Sequence, residues 1–244
     1  MRPPAPFPAG ALATLVAGLR ARRWANLAVA WLRLLIGFAL LPAGLKKVLG
    51  QPFTDPRNHG LFHDFLHAFL ATGGFYRAVG ALQLAAALLL MTQRFAALGA
   101  ALALPMLTAI GAFCWSTAGV PTTTVVSLMW LGTLGLLLWD LDRWVGLLRP
   151  DGAAQPPAAD VPPSPPLAPI DRGLWQRCGA VVAVLYLTVT ALAGEIYRPR
   201  GLELDRPAFY LLVALPFVPL VTQLLDARRA RRARRVRLAR TQAL

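Results

Sequence analysis

All three histidines of this 244-residue chain fall at His59, His63 and His67. That spacing of four puts His63 and His67 on adjacent turns of one helix. Imidazoles placed this way can converge on one metal ion, with Asp55 or Asp64 near enough to join them. The same stretch carries Phe62, Phe65, Leu66, Phe69 and Leu70, an apolar face that the histidines border. An amphipathic helix lying on a membrane surface accounts for the whole pattern. Neither a third strong ligand nor a glutamate base follows, so no metal centre is expected. The two cysteines, Cys114 and Cys178, stand at opposite ends of apolar segments, too far apart to pair, and no CxxC spacing occurs. Glu195 and Asp226 stand alone at segment ends, which leaves no paired carboxylates for acid–base work. Thr122, after Pro121, reads as a helix cap.

Polar residues inside apolar segments are the remaining place for chemistry. Arg33 interrupts the run from Leu27 to Leu45, where a charge is costly unless it snorkels or is paired. At helical periodicity Arg33, Gly37, Gly44 and Lys47 share one face. In the run from Phe75 to Met91, Tyr76, Gly80, Gln83 and Ala87 share another, which continues to Arg94. These stripes admit two readings. Gly37, Gly44 and Gly80 let two helices approach closely with cations at their ends. Alternatively, the stripes line a cavity in which Arg33, Gln83, Tyr76 and Lys47 meet polar atoms of a ligand. Close packing is the commoner use of such glycines, and Gln83 is the best polar candidate within the bilayer.

Six long apolar segments must position these residues: Leu27 to Leu45, Phe75 to Met91, Phe95 to Phe113, Thr122 to Trp139, Cys178 to Gly194 and Ala208 to Leu225. Each can cross about 30 Å of hydrocarbon as a helix. With 57% hydrophobic and only 15% charged residues, a soluble domain would expose far too much apolar surface. Continuous rather than alternating runs favour helices over a barrel. The expected fold is all-α, a polytopic membrane protein with six transmembrane helices. Pro105, Pro216 and Pro219 are expected to kink their helices.

The formal charge of +14 is concentrated after the last segment, where eight arginines lie between Arg228 and Arg240. Such a juxtamembrane run is drawn to anionic headgroups and to the cytoplasmic side, and no nucleic-acid motif accompanies it. With both termini cytoplasmic, 17 basic residues fall inside and seven outside, and Arg33 stands within the first span. Trp24, Trp139, Trp144 and Trp175 then mark the inner interface and Trp115 the outer one. The expected organisation has five parts. Residues 1–25 form a cytoplasmic segment with an interfacial helix near Gly10 to Leu19, which is not a cleaved signal. Residues 26–145 form a four-helix module and residues 146–172 a proline-rich cytoplasmic linker. Residues 173–226 form a two-helix hairpin and residues 227–244 an Arg-rich tail.

The front module resembles the DoxX family of small membrane proteins. The resemblance is carried by Arg33-Leu-Leu-Ile-Gly37 through Gly44-Leu-Lys-Lys47, by Phe65 with Thr72-Gly73, and by Gly80 through Arg94 to Gly99. It covers roughly residues 26 to 145, outside which lie the rear hairpin and the tail. The resemblance implies a four-helix membrane bundle linked to respiratory or sulfur redox chemistry, for which a quinone is the expected cofactor. Arg33, Gly37, Gly44, Lys46 or Lys47, Gly73 and Gly80 match family positions, and none of them implies a catalytic acid or nucleophile. The expected function is that of a membrane subunit or accessory of a redox system in a bacterial cytoplasmic membrane. It would bind a quinone or lipid between the first two spans, with a redox enzyme and membrane lipids as partners. A small-solute permease and a non-catalytic assembly or anchoring protein are the rival readings.

Overall fold

The structure, a computed structural model, describes residues 9–141, 144, 170–194, 196 and 206–242. Residues 146–169 of the proline-rich linker and Glu195 lie outside the described residues. All regular elements among the described residues are helices. They are α1 (Ala9–Arg20), α2 (Arg23–Val48), α3 (Leu61–Ala71), α4 (Gly74–Met91), α5 (Ala96–Thr117), α6 (Val120–Trp139), α7 (Arg172–Ala193), α8 (Pro207–Ala214) and α9 (Phe217–Gln242). Six helical paths are long and apolar enough to cross a membrane: α2, α4, α5, α6, α7, and α8 continued by α9.

Local chemistry sets the helix limits. Asp171 starts α7 six residues ahead of the apolar run, because its carboxylate accepts the Leu174 amide at 3.0 Å. Thr122 is not the cap of α6. That helix opens at Val120 behind Gly119, with Pro121 in its first turn, and the Thr123 and Thr124 hydroxyls donate back to carbonyls of the preceding turn. The helices α2 and α5 run unbroken through Pro42 and Pro105. By contrast, a turn at Leu215 and Pro216 divides the last path. Beyond it α9 continues through the arginine run, so that segment is helical to Gln242.

The antiparallel pair α2 and α4 forms the centre, and glycine sets its spacing. A Cβ on Gly80 would lie 2.6 Å from Lys47 Cβ and 2.8 Å from the Gly44 carbonyl. One on Gly37 would lie 2.9 Å from the Ala87 carbonyl. The backbones therefore touch along the seam, as small residues permit in lipid. On one flank Gly99 brings α5 onto Leu90 of α4, and Gly132 of α6 meets Leu32 and Ile36 of α2. On the other flank Gly179 of α7 sits so close to Met91 that a Cβ there would overlap its carbonyl. Trp175 packs edge-on against Trp31 with centroids 6.3 Å apart, and Tyr186 against Phe38 at 5.4 Å. Trp175, 1% exposed, is thus a core residue rather than part of an interfacial belt, and α7 shares one core with the front helices. The short helix α3 closes one end of the bundle, with Phe62 and Phe65 on Phe113 and with Phe69 on Phe75 and Tyr76.

Gly80→Val and Gly179→Ala are each expected to lower thermal stability in detergent by about 1–3 kcal/mol or more through overpacking. Gly135→Ala, whose Cβ would meet nothing within 4 Å, is expected to leave the melting curve unchanged or slightly raised.

Candidate functional site

Polar side chains gather at three levels of the bundle. At the end where Arg23, Asp140 and Asp226 lie, here the tail end, Arg33 Nη2 donates to Asp140 Oδ2 at 2.7 Å, with the two side chains 13% and 8% exposed. Arg33 Nη1 reaches Gln93 Oε1 at 3.4 Å, and Gln93 Nε2 donates to the Ala30 carbonyl at 3.1 Å. Gln93 holds this position with φ of +58° in the α4–α5 turn, a left-handed conformation rarely adopted outside glycine. Asp140 follows the last turn of α6, whose Trp139 carbonyl accepts a hydrogen bond from Arg20. Two cations therefore meet the negative end of the α6 dipole. Arg33 is an ion-paired anchor for α6; it does not reach into a cavity between α2 and α4.

A second network joins the first spanning helix to the last. Asp226 accepts Arg23 Nη2 at 2.5 Å and the Asp171 amide at 2.7 Å, and Asp171 in turn accepts Arg229. Asp226 is 2% exposed, so far from standing alone it is the centre of a clasp. Trp31 Nε1 donates to Gln223 Oε1 at 2.9 Å beside it. The Leu174 amide and the Arg229 guanidinium hold the Asp171 carboxyl below its ordinary pKa.

At mid-bundle Gln83 is 1% exposed, and its Oε1 has no hydrogen-bond partner. Its neighbour Gly80 is pressed against Gly44, so the backbones of α2 and α4 touch about one turn from this amide. Gln83 lies ten positions along the chain from Gln93, about 15 Å at helical rise. The fold therefore does not bring Arg33 and Gln83 together.

At the opposite, far end Lys47 is 7% exposed. Its Nζ makes one long bond to the Ala43 carbonyl at 3.4 Å and lies 4.5 Å from the Phe53 ring centroid and 5.9 Å from that of Tyr76. Tyr76, 1% exposed, donates its hydroxyl to the Gln51 carbonyl at 2.8 Å. Lys47, Tyr76 and Gln83 thus form a buried polar column flanking Gly80, and this is the strongest candidate site. Sequence periodicity placed all three residues on facing stripes. It gave no sign of Phe53 and Gln51, whose loop folds back over them.

The histidines lie above this column. His63 Nδ1 and Thr54 Oγ1 share a hydrogen bond of 2.6 Å, His59 approaches Asp64 at 3.7 Å, and His67 Nε2 is buried without a partner. Among the described residues no three His, Cys, Asp or Glu side chains gather to hold a metal. Cys114 and Cys178 are both buried and unpaired with each other. On the lipid side of α5 and α6 a groove of about 420 Å³ runs between Trp115 and Trp130. Their indole N–H groups are fixed on Ser127 at 3.0 Å and Thr108 at 2.9 Å. No protein-family model, no curated protein and no solved structure matches this chain.

Arg33→Ala removes the guanidinium that the buried Asp140 carboxylate holds at 2.7 Å and is expected to cost about 3–5 kcal/mol. The double variant Arg33→Met with Asp140→Leu should recover most of that loss in the same melting assay. For the clasp the sign follows from Asp171. Its folded pKa is depressed, so its contribution is present above the ordinary carboxylate value of 3.8 and is lost as pH falls through the folded value. Limited proteolysis of α7–α9 is therefore expected to stay constant from pH 7 to about 5 and to accelerate only below about 4. Asp171→Asn should be cleaved fast throughout.

Proposed function

We propose that this chain is a DoxX-like membrane subunit or accessory of a respiratory or sulfur redox system, seated in a bacterial cytoplasmic membrane with both termini cytoplasmic. In this reading the chain binds the ligand, a quinone or a related lipid, and a partner enzyme supplies the redox chemistry. The observation that carries the reading is Gln83: a wholly buried amide whose carbonyl oxygen lacks a donor, in a bundle otherwise packed with Leu and Ala. A quinol hydroxyl is a donor of the kind that oxygen lacks, and desolvation makes an unmet acceptor costly. Lys47 donates toward a quinone carbonyl, and the rings of Phe53 and Tyr76 beside it give a flat headgroup apolar surface. The headgroup belongs toward the far end, beside Gly80, between the Lys47 ammonium and the Gln83 amide. The groove between Trp115 and Trp130 offers an apolar channel for a lipid chain on the neighbouring helices.

Titrating a quinol, kept reduced, into the detergent-purified protein tests the reading. Wild type is expected to bind, and Gln83→Ala to weaken the affinity about tenfold, the equivalent of one buried hydrogen bond. Equal affinity in the two proteins removes Gln83 from the site, and absence of binding to wild type removes the quinol.

A further inference from the structure

We infer that the far end of α2 and α4 carries a binding site for a phosphate-class oxyanion, formed by Lys47, Arg77 and the loop at Gly50–Phe53. The site goes beyond the quinone reading and does not rest on it. Three positive groups converge on this loop. The Lys47 and Lys46 ammonium groups face the same Phe53 ring, at 4.5 and 5.9 Å from its centroid. The Arg77 guanidinium lies against Gly50, with Nη2 3.4 Å from where a Cβ would stand. Gly50 has φ of +68°, so the loop reaches that guanidinium by a turn that only glycine makes without strain.

Two of these charges, on Lys47 and Arg77, are not answered from within. Neither Lys47 nor Arg77 has a carboxylate within ion-pair distance among the described residues, whereas Arg57, in the same loop region, is paired with Asp55 at 3.2 Å. Lys47 is the decisive group. A long lysine at the end of a spanning helix ordinarily snorkels to water. This one is 7% exposed and folded onto aromatic rings, with a single long bond to its own helix. A buried ammonium retained in that state lacks a counter-charge. Donors approaching from two helices suit a tetrahedral ion with several oxygens, for which the planar guanidinium fork provides paired contacts. At the edge of a bilayer the abundant group of that chemistry is a phospholipid phosphate; free phosphate is the soluble source of the same chemistry.

The experiment uses the full chain in detergent and two probes, dihexanoyl phosphatidylglycerol and inorganic phosphate, with binding read by isothermal calorimetry. One or both probes are expected to bind wild type, the stronger identifying the source. Arg77→Gln and Lys47→Gln should each weaken binding at least tenfold, Arg77→Lys, which keeps the charge but not the fork, should fall between Arg77→Gln and wild type, and Arg57→Gln should not change it. Arg77 is exposed, so its substitution leaves the fold intact and the test informative even if Lys47→Gln does not fold. Binding of neither probe overturns the site, as does binding that is indifferent to Arg77→Gln. Gln83→Ala, which tests the quinone, is expected to leave phosphate binding unchanged, so the two readings fail separately.

Discussion

The closeness of α2 to α4 governs the rest of the molecule. In lipid there is little hydrophobic gain in bringing two apolar helices together, because the tails they leave are as apolar as the side chains they meet. What holds the pair is backbone-to-backbone van der Waals contact through Gly37, Gly44 and Gly80. That closeness is also what buries Tyr76, Gln83 and Lys47, since side chains of that size on helices a few ångströms further apart would open to lipid or water. The candidate site is thus a by-product of tight packing, and its polar atoms are desolvated by the same contact that stabilises the fold.

The tail end is organised differently, by charge. Arg33 with Asp140 fixes α6, a helix that buries little else, and Arg23 with Asp226 fixes the last path against the first. Both acids are nearly inaccessible, and Asp226 meets two donors, Arg23 and the Asp171 amide. In such surroundings an ion pair is demanding about geometry and so specifies which helices are neighbours as much as it adds stability.

Much of this was legible from residue types. The six apolar runs, the helix over the histidine segment and the facing glycine stripes follow from length and periodicity alone, because in a bilayer the backbone has few alternatives. Partners distant in sequence were not legible. Nothing in the spacing of Arg33 joins it to Asp140, and Asp226 looked solitary because its partners are Arg23 and the amide of Asp171. Trp175 looked interfacial because its position in the sequence matches a belt, and only the crossing of α7 over Trp31 buries it. The candidate site was half legible: the stripes gave Lys47, Tyr76 and Gln83, but the loop carrying Phe53 and Gln51 has no periodicity to read.

The clasp has a consequence for how the chain is made. Arg23 meets Asp226 across 203 residues, and Arg33 meets Asp140 across 107. Synthesis from the N-terminus therefore delivers each cation to the membrane long before its carboxylate exists. The first spanning helix enters with its charges uncompensated and becomes a settled part of the bundle only as later helices arrive, so the order of synthesis makes the last helix the one that completes the first.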